Sequence, residues 1–132
     1  MLITSSGMSQ YEVLGSRFTV ALGDNRFEPD VVVVDPSEGS LEEYEYHGTP
    51  ILVVEVVSKT SRDYDLGKKR SIYRQYRIPE LWFVDYTGGM VEIDTLVSEG
   101  YSTQKQGLSE PIKSLILESF SVTLRCGSNS AS

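Results

Sequence analysis

Glu55 stands in the middle of an apolar run, Ile51-Leu52-Val53-Val54-Glu55-Val56-Val57. A carboxylate enclosed by such side chains is costly to ionise, so it needs a cation, a metal or a proton. A second carboxylate, Asp30, follows Pro29 and opens another apolar run, Val31 to Val34. Strand ends in α/β sheets are where sites form. If the two runs are neighbouring strands, both carboxylates converge at one end of a sheet. Two carboxylates with water and a phosphate oxygen suit Mg²⁺, with Mn²⁺ as its substitute. The plainer alternatives are a Pro-Asp turn at Asp30 and a structural ion pair at Glu55.

A third group comes from the stretch that follows. Ser61 or Asp63 can cap a helix running to about Arg77, and Pro79 closes it. At about 100° per residue, Leu66, Ile72, Tyr73 and Tyr76 fall on one arc, and Asp65 and Lys69 lie inside it. Gly67, Lys68, Arg74 and Gln75 point elsewhere. A lysine on the sheet-facing side must find a partner there, and Asp30 and Glu55 are the obvious ones. The alternative is a lysine whose stem lies along the helix while its head reaches solvent. Asp30, Glu55 and Lys69 thus form a metal-plus-lysine constellation for phosphodiester hydrolysis. The metal would polarise the ester and acidify a bound water. The lysine would orient that water or stabilise charge developing on phosphorus.

The elements that must position these residues are readable from the hydrophobic pattern. Residues 11–22 suggest one bent strand or a pair, and 23–26 are turn material. The valine run 31–34 and the run 51–57 read as strands buried on both faces. The acidic stretch 36–49 between them reads as a loop. Strand 51–57, the helix and strand 81–86 make a βαβ unit with a right-handed crossover and a parallel pair. Gly88-Gly89 then signals a two-residue hairpin into Met90-Val97. A weaker turn at Glu99-Gly100 leads to a strand over 101–105, and 115–125 forms a last strand or a short helix. The chain is expected to be one domain over 1–132, ordered over 10–126, with a frayed tail at 127–132.

At 132 residues, 39% of them hydrophobic and 23% charged, the composition is that of a soluble globular domain. Absence of a membrane-length apolar run, of a secretory leader pattern and of a cysteine pair points to the cytoplasm. The net charge of −7 argues against passive wrapping of nucleic acid. The charge is uneven, however. Lys59, Arg62, Lys68, Lys69, Arg70, Arg74 and Arg77 face only Asp63 and Asp65 between positions 59 and 77, a basic island that could steer an anion or simply be a solvated helix face.

The segments FEPDVVVVDP and PILVVEVVSKTSRDYDLGKKRSIYRQYRIPELWFVDY, with the hairpin after them, strongly resemble the Uma-type restriction endonuclease family of the PD-(D/E)XK nuclease superfamily. The resemblance covers roughly residues 11–125 and is densest over 50–86. It implies an α/β fold: a restriction-endonuclease-like mixed central sheet with a βαβ core and an added C-terminal β-hairpin. It also implies Mg²⁺-dependent hydrolysis of nucleic acid, DNA first. Pro29-Asp30 matches the PD element and Glu55 the acidic residue of the second element. The lysine of that element falls at Val57, and Lys69 on the helix is the matching position instead. Family members carry a longer N-terminal part with a helix on the sheet. From that difference we expect uncovered apolar sheet surface and a homodimer, or a shortened relative serving as an inactive binding or dimerisation module. Other candidates carry less. Glu28 is an outer position near Asp30, His47 a solvated loop residue and Cys126 an inert thiol. Asp63 and Asp65 suit the helix N-terminus, Tyr73 can brace Lys69, and Trp82 is core material.

Overall fold

The structure is a computed structural model that describes residues 2–4, 10–117 and 120–123. Its strands begin with β1 (Leu2–Thr4), β2 (Glu12–Gly15), β3 (Thr19–Leu22), β4 (Asn25–Phe27) and β5 (Val31–Val34). The hairpin strands β6 (Ser40–Glu42) and β7 (Glu45–His47) precede β8 (Leu52–Val57) and β9 (Glu80–Asp85). β10 (Met90–Val97), β11 (Gly100–Gly107), β12 (Ile112–Lys113) and β13 (Ser121–Thr123) follow. Between β8 and β9 runs one continuous helix, α1. It has an α turn at Arg62–Tyr64, a π-helical stretch at Asp65–Lys69 and an α segment at Arg70–Gln75.

The central sheet has the order β11-β10-β9-β8-β5-β2. The two valine-rich runs are neighbours in it, as expected, with Val31 opposite Val54 and Val33 opposite Leu52 in antiparallel register. β8 and β9 are parallel and joined through α1, which is the expected βαβ unit. Both runs are buried on both faces because each face carries its own core. One face packs Val32, Val34, Val53 and Phe83 beneath α1 and the small sheet β4-β3-β7-β6. The other packs Val31, Val33, Val54 and Trp82 beneath Leu108, Ile112, Leu117 and Phe120. That second layer covers the sheet surface expected to lie bare.

Several local expectations are corrected. The turn after β9 has four residues, because Asp85 rather than Tyr86 or Thr87 pairs with Met90. The Asp85 carboxylate accepts the Gly88 N–H at 3.0 Å, and Gly89 takes φ +67°, which closes this wider loop. The tighter turn lies between β10 and β11, where Val97 pairs with Gly100, and β11 extends to Gly107. The stretch 36–49 is built from a 3₁₀ turn at Pro36–Glu38 and the β6–β7 hairpin, pinned by fully buried Tyr46, whose hydroxyl donates to the Asp35 carbonyl at 3.2 Å. Residues 23–26 hold the Gly23-Asp24 turn and the start of β4. Gly23 sits at φ +62° against the Tyr76 hydroxyl, where a Cβ would clash. Helix α1 stops at Gln75, with Arg77 in the left-handed region. The last strand occupies 121–123, whereas Cys126 and the 127–132 tail lie outside the described residues.

Candidate active site

Asp30 ends the connection into β5, and its backbone N–H donates to the Val54 carbonyl at 3.0 Å. Its carboxylate accepts the Val56 N–H at 2.7 Å. The β5–β8 ladder ends at Val31–Val54, and Asp30 beyond it bonds the residues on either side of Glu55, Val54 and Val56, near enough for its charge to act on the Glu55 carboxyl. Glu55 lies on the face beneath α1, where Val53 and Val57 also pack.

Two side chains of α1 straddle Glu55. The Tyr73 hydroxyl donates to its Oε2 at 2.6 Å, and Lys69 Nζ stands 3.4 Å from its Oε1. The same ammonium lies 3.2 Å from Asp65 Oδ1 and sits above the rings of Phe27 and Tyr64. Lys69 therefore turns inward, as the helical spacing implied, and does not reach into solvent. Asp65 corrects the sequence reading: it is buried, accepts from Ser61 Oγ at 2.7 Å and partners Lys69 instead of capping the helix. Asp63 is exposed, as is Glu28, and His47 is exposed beside Glu45.

Burial drives the Glu55 carboxyl up to about 7, although the Tyr73 hydrogen bond and the Lys69 charge oppose that rise. The negative charges of Asp30 and Asp65 push the same way as burial. Burial and the Glu55 charge likewise raise Tyr73 far above the ordinary phenol value, so it serves as a fixed donor. Burial alone would lower Lys69, yet Glu55 and Asp65 outweigh it and hold the amine above its ordinary value. The 3.4 Å separation is long for a charged pair. Glu55 is thus an under-compensated carboxylate within the field of two others, with a fixed cation at its flank.

Sequence reasoning missed a second ionic cluster under the same helix. Asp94 on β10 is fully buried and accepts from Arg70 through both oxygens, at 2.8 and 2.6 Å. Arg74 and Thr103 add further donors to it, and Arg70 also reaches Glu92 at 3.0 Å. The available signal was Asp94 at an inward position of an alternating strand, Val91-Glu92-Ile93-Asp94, opposite the helix that carries the arginines. Glu80, also fully buried, needs no cation, since Trp82 Nε1, Ser114 Oγ and the Leu115 and Ile116 N–H groups surround it.

The basic island is therefore largely spent internally. Lys69, Arg70 and Arg74 serve buried carboxylates, and Arg62 pairs with Asp85. Among the described residues no three His, Cys, Asp or Glu side chains gather as a metal cluster. The donor chemistry still suits Mg²⁺, which is commonly held by one or two carboxylates and completes its shell with water and substrate phosphate. No helix among the described residues is long and apolar enough to cross a membrane.

A mixed sheet with a βαβ core, carrying acidic residues on neighbouring segments, is the restriction-endonuclease-like arrangement. A crystal structure from Anabaena variabilis ATCC 29413, titled a putative nuclease belonging to DUF820, shares this fold with a TM-score of 0.65 at 15% identity. The alignment covers 86% of this chain but 64% of that one, so the chain spans under two thirds of its neighbour's length. The family model Uma2, described as "Putative restriction endonuclease", matches residues 4–125, and the chain belongs to that family. No curated protein matches the sequence.

Proposed function

We propose that the protein is a Mg²⁺-dependent endonuclease acting on DNA in the cytoplasm, with Asp30 and Glu55 as metal ligands. The observation that carries this reading is Glu55 itself: a buried carboxylate whose strand neighbours Val54 and Val56 both bond Asp30, with Lys69 Nζ at 3.4 Å. A divalent cation there would offset the burial that lifts Glu55 to about 7, with the lesser repulsion from Asp30 and Asp65, and would supply Lewis-acid polarisation of the phosphodiester. Asp30 is held for the task by the Val56 N–H, which donates to its Oδ2. Tyr73 fixes the Glu55 carboxylate through one oxygen. Lys69 stays charged between Glu55 and Asp65, where its ammonium can orient a water or meet charge on a phosphate oxygen.

A second reading, an inactive binding module or homodimer, is favoured by the lack of a third acidic donor among the described residues. Melting of wild type and Glu55→Gln, each with and without Mn²⁺, separates the readings. A metal-induced rise present only in wild type, together with Mn²⁺-dependent cleavage of plasmid DNA, is expected. No metal response in either protein would leave the module, and sedimentation would then show whether it pairs.

A further inference from the structure

Two hollows, of about 160 and 360 Å³, meet at the carboxyl ends of the parallel strands β8 and β9. They share Arg62, Asp85 and Gly88, so they adjoin as one groove across these residues. The smaller hollow has Val57, Leu66 and Phe83 in its wall, and Lys105 of β11 stands at its side. The larger adds Ser58 and Lys59. Crevices outside the carboxyl ends of parallel strands are where α/β folds bind ligands. The groove also adjoins the carboxylate site. Phe83 is the cross-strand partner of Glu55, and Val57 lies two residues beyond it on the same face.

The cations of this groove differ from those buried under α1. Arg70 and Arg74 cannot leave fully buried Asp94 without orphaning it, and Lys69 holds Glu55 and Asp65. Lys59 and Lys105 are exposed and have no ion pair among the described residues. Arg62 is half exposed, and its partner Asp85 has a second support. The Gly88 backbone N–H is the main influence holding the Asp85 carboxyl below its ordinary value. Asp85 therefore keeps a hydrogen bond when Arg62 departs. A guanidinium released from a carboxylate can take a phosphate in the same two-pronged geometry.

We infer that this groove binds the phosphodiester backbone of DNA through Lys59, Arg62 and Lys105, with Asp85 as a latch that parks Arg62 until a phosphate takes it. Glu92 also lines the groove, but its charge is matched by Arg70. The inference rests on the nuclease reading for its ligand, yet binding and cleavage are separable in the test.

Anisotropy of a fluorescein-labelled 20-base-pair DNA duplex, in EDTA at low salt, measures binding without hydrolysis. Arg62→Ala with Lys105→Ala is expected to weaken binding about tenfold and to flatten the log-salt slope by about 0.9 per cation removed. Arg77→Glu, exposed past the C-terminal end of α1 and not part of the groove lining, should change affinity less than twofold. Asp85→Asn frees Arg62 and should tighten binding a few fold, a gain that mere loss of structure would not give. Equal weakening in Arg77→Glu and the groove variant, or no weakening in either, overturns the groove. So does wild type that binds no duplex, or that prefers a matched RNA duplex. If groove variants lose binding while wild type fails to cleave with Mn²⁺, the nuclease reading falls and the groove stands.

Discussion

Asp94 and Glu55 lie beneath the same helix, and each is straddled by side chains one turn apart: Arg70 and Arg74 for Asp94, Lys69 and Tyr73 for Glu55. The two rows are adjacent along α1, yet the outcomes are opposite. Burial would raise Asp94, but hydrogen bonds from Arg70, Thr103 and Arg74 overcome it and hold the carboxyl below its ordinary value. Glu55 has one neutral donor and one distant, shared ammonium, and burial lifts it to about 7. A buried charge with full hydrogen-bonded compensation fixes structure, whereas one left short of compensation has affinity to spare for a cation.

The largest test breaks the compensated side. Asp94→Ala leaves Arg70 and part of Arg74 facing an empty buried position, and urea denaturation should show a loss of about 3–5 kcal/mol. A loss below 1 kcal/mol would mean that the cluster is solvated and not structural.

The next sharpens the difference through pH, without metal. The folded value of Glu55, about 7, lies above its unfolded value, so its contribution to stability is full below about pH 4.5 and is lost as pH rises through 7. Converted from the shift, that contribution is on the order of 3 kcal/mol. Asp94 behaves oppositely: its contribution is present above its ordinary carboxylate value and lost as pH falls through the lower folded one. Glu55→Gln should therefore match wild type near pH 4.5 and be the more stable of the two at pH 8. Lys69 keeps Asp65 in that variant. Parallel stability curves for the two proteins would show that Glu55 is fully compensated after all.

The smallest effect is at Tyr73. Tyr73→Phe removes one donor from Glu55 while keeping the ring packed against Phe27, and should cost about 1 kcal/mol. A cost as large as that of Asp94→Ala would make Tyr73 the principal support of the carboxylate.

Much of the frame was legible in the residues themselves. Unbroken valine runs specified strands covered on both faces, and a polar helical stretch between two such runs specified the parallel crossover. The position of Glu55 inside ILVVEVV and the 3.6-residue spacing of Lys69, Tyr73 and Leu66 put carboxylate and amine on facing surfaces by pattern alone. These are local periodicities, which the covalent chain sets by itself.

What only the tertiary structure decided depends on which distant groups meet. Asp65 looked like a helix-capping residue, but the π-helical stretch at Asp65–Lys69 and the sheet beneath turned it into a partner of Lys69. The basic island looked available to an anion, yet carboxylates on β8, β9 and β10, 14 to 24 residues away, took up most of its charge. The sheet face expected to lie bare is covered by residues from the far end of the chain. Periodicity states which way a side chain points. It cannot state the charge or shape that another strand brings opposite, because that is set by long-range pairing and by which buried polar groups must be satisfied together.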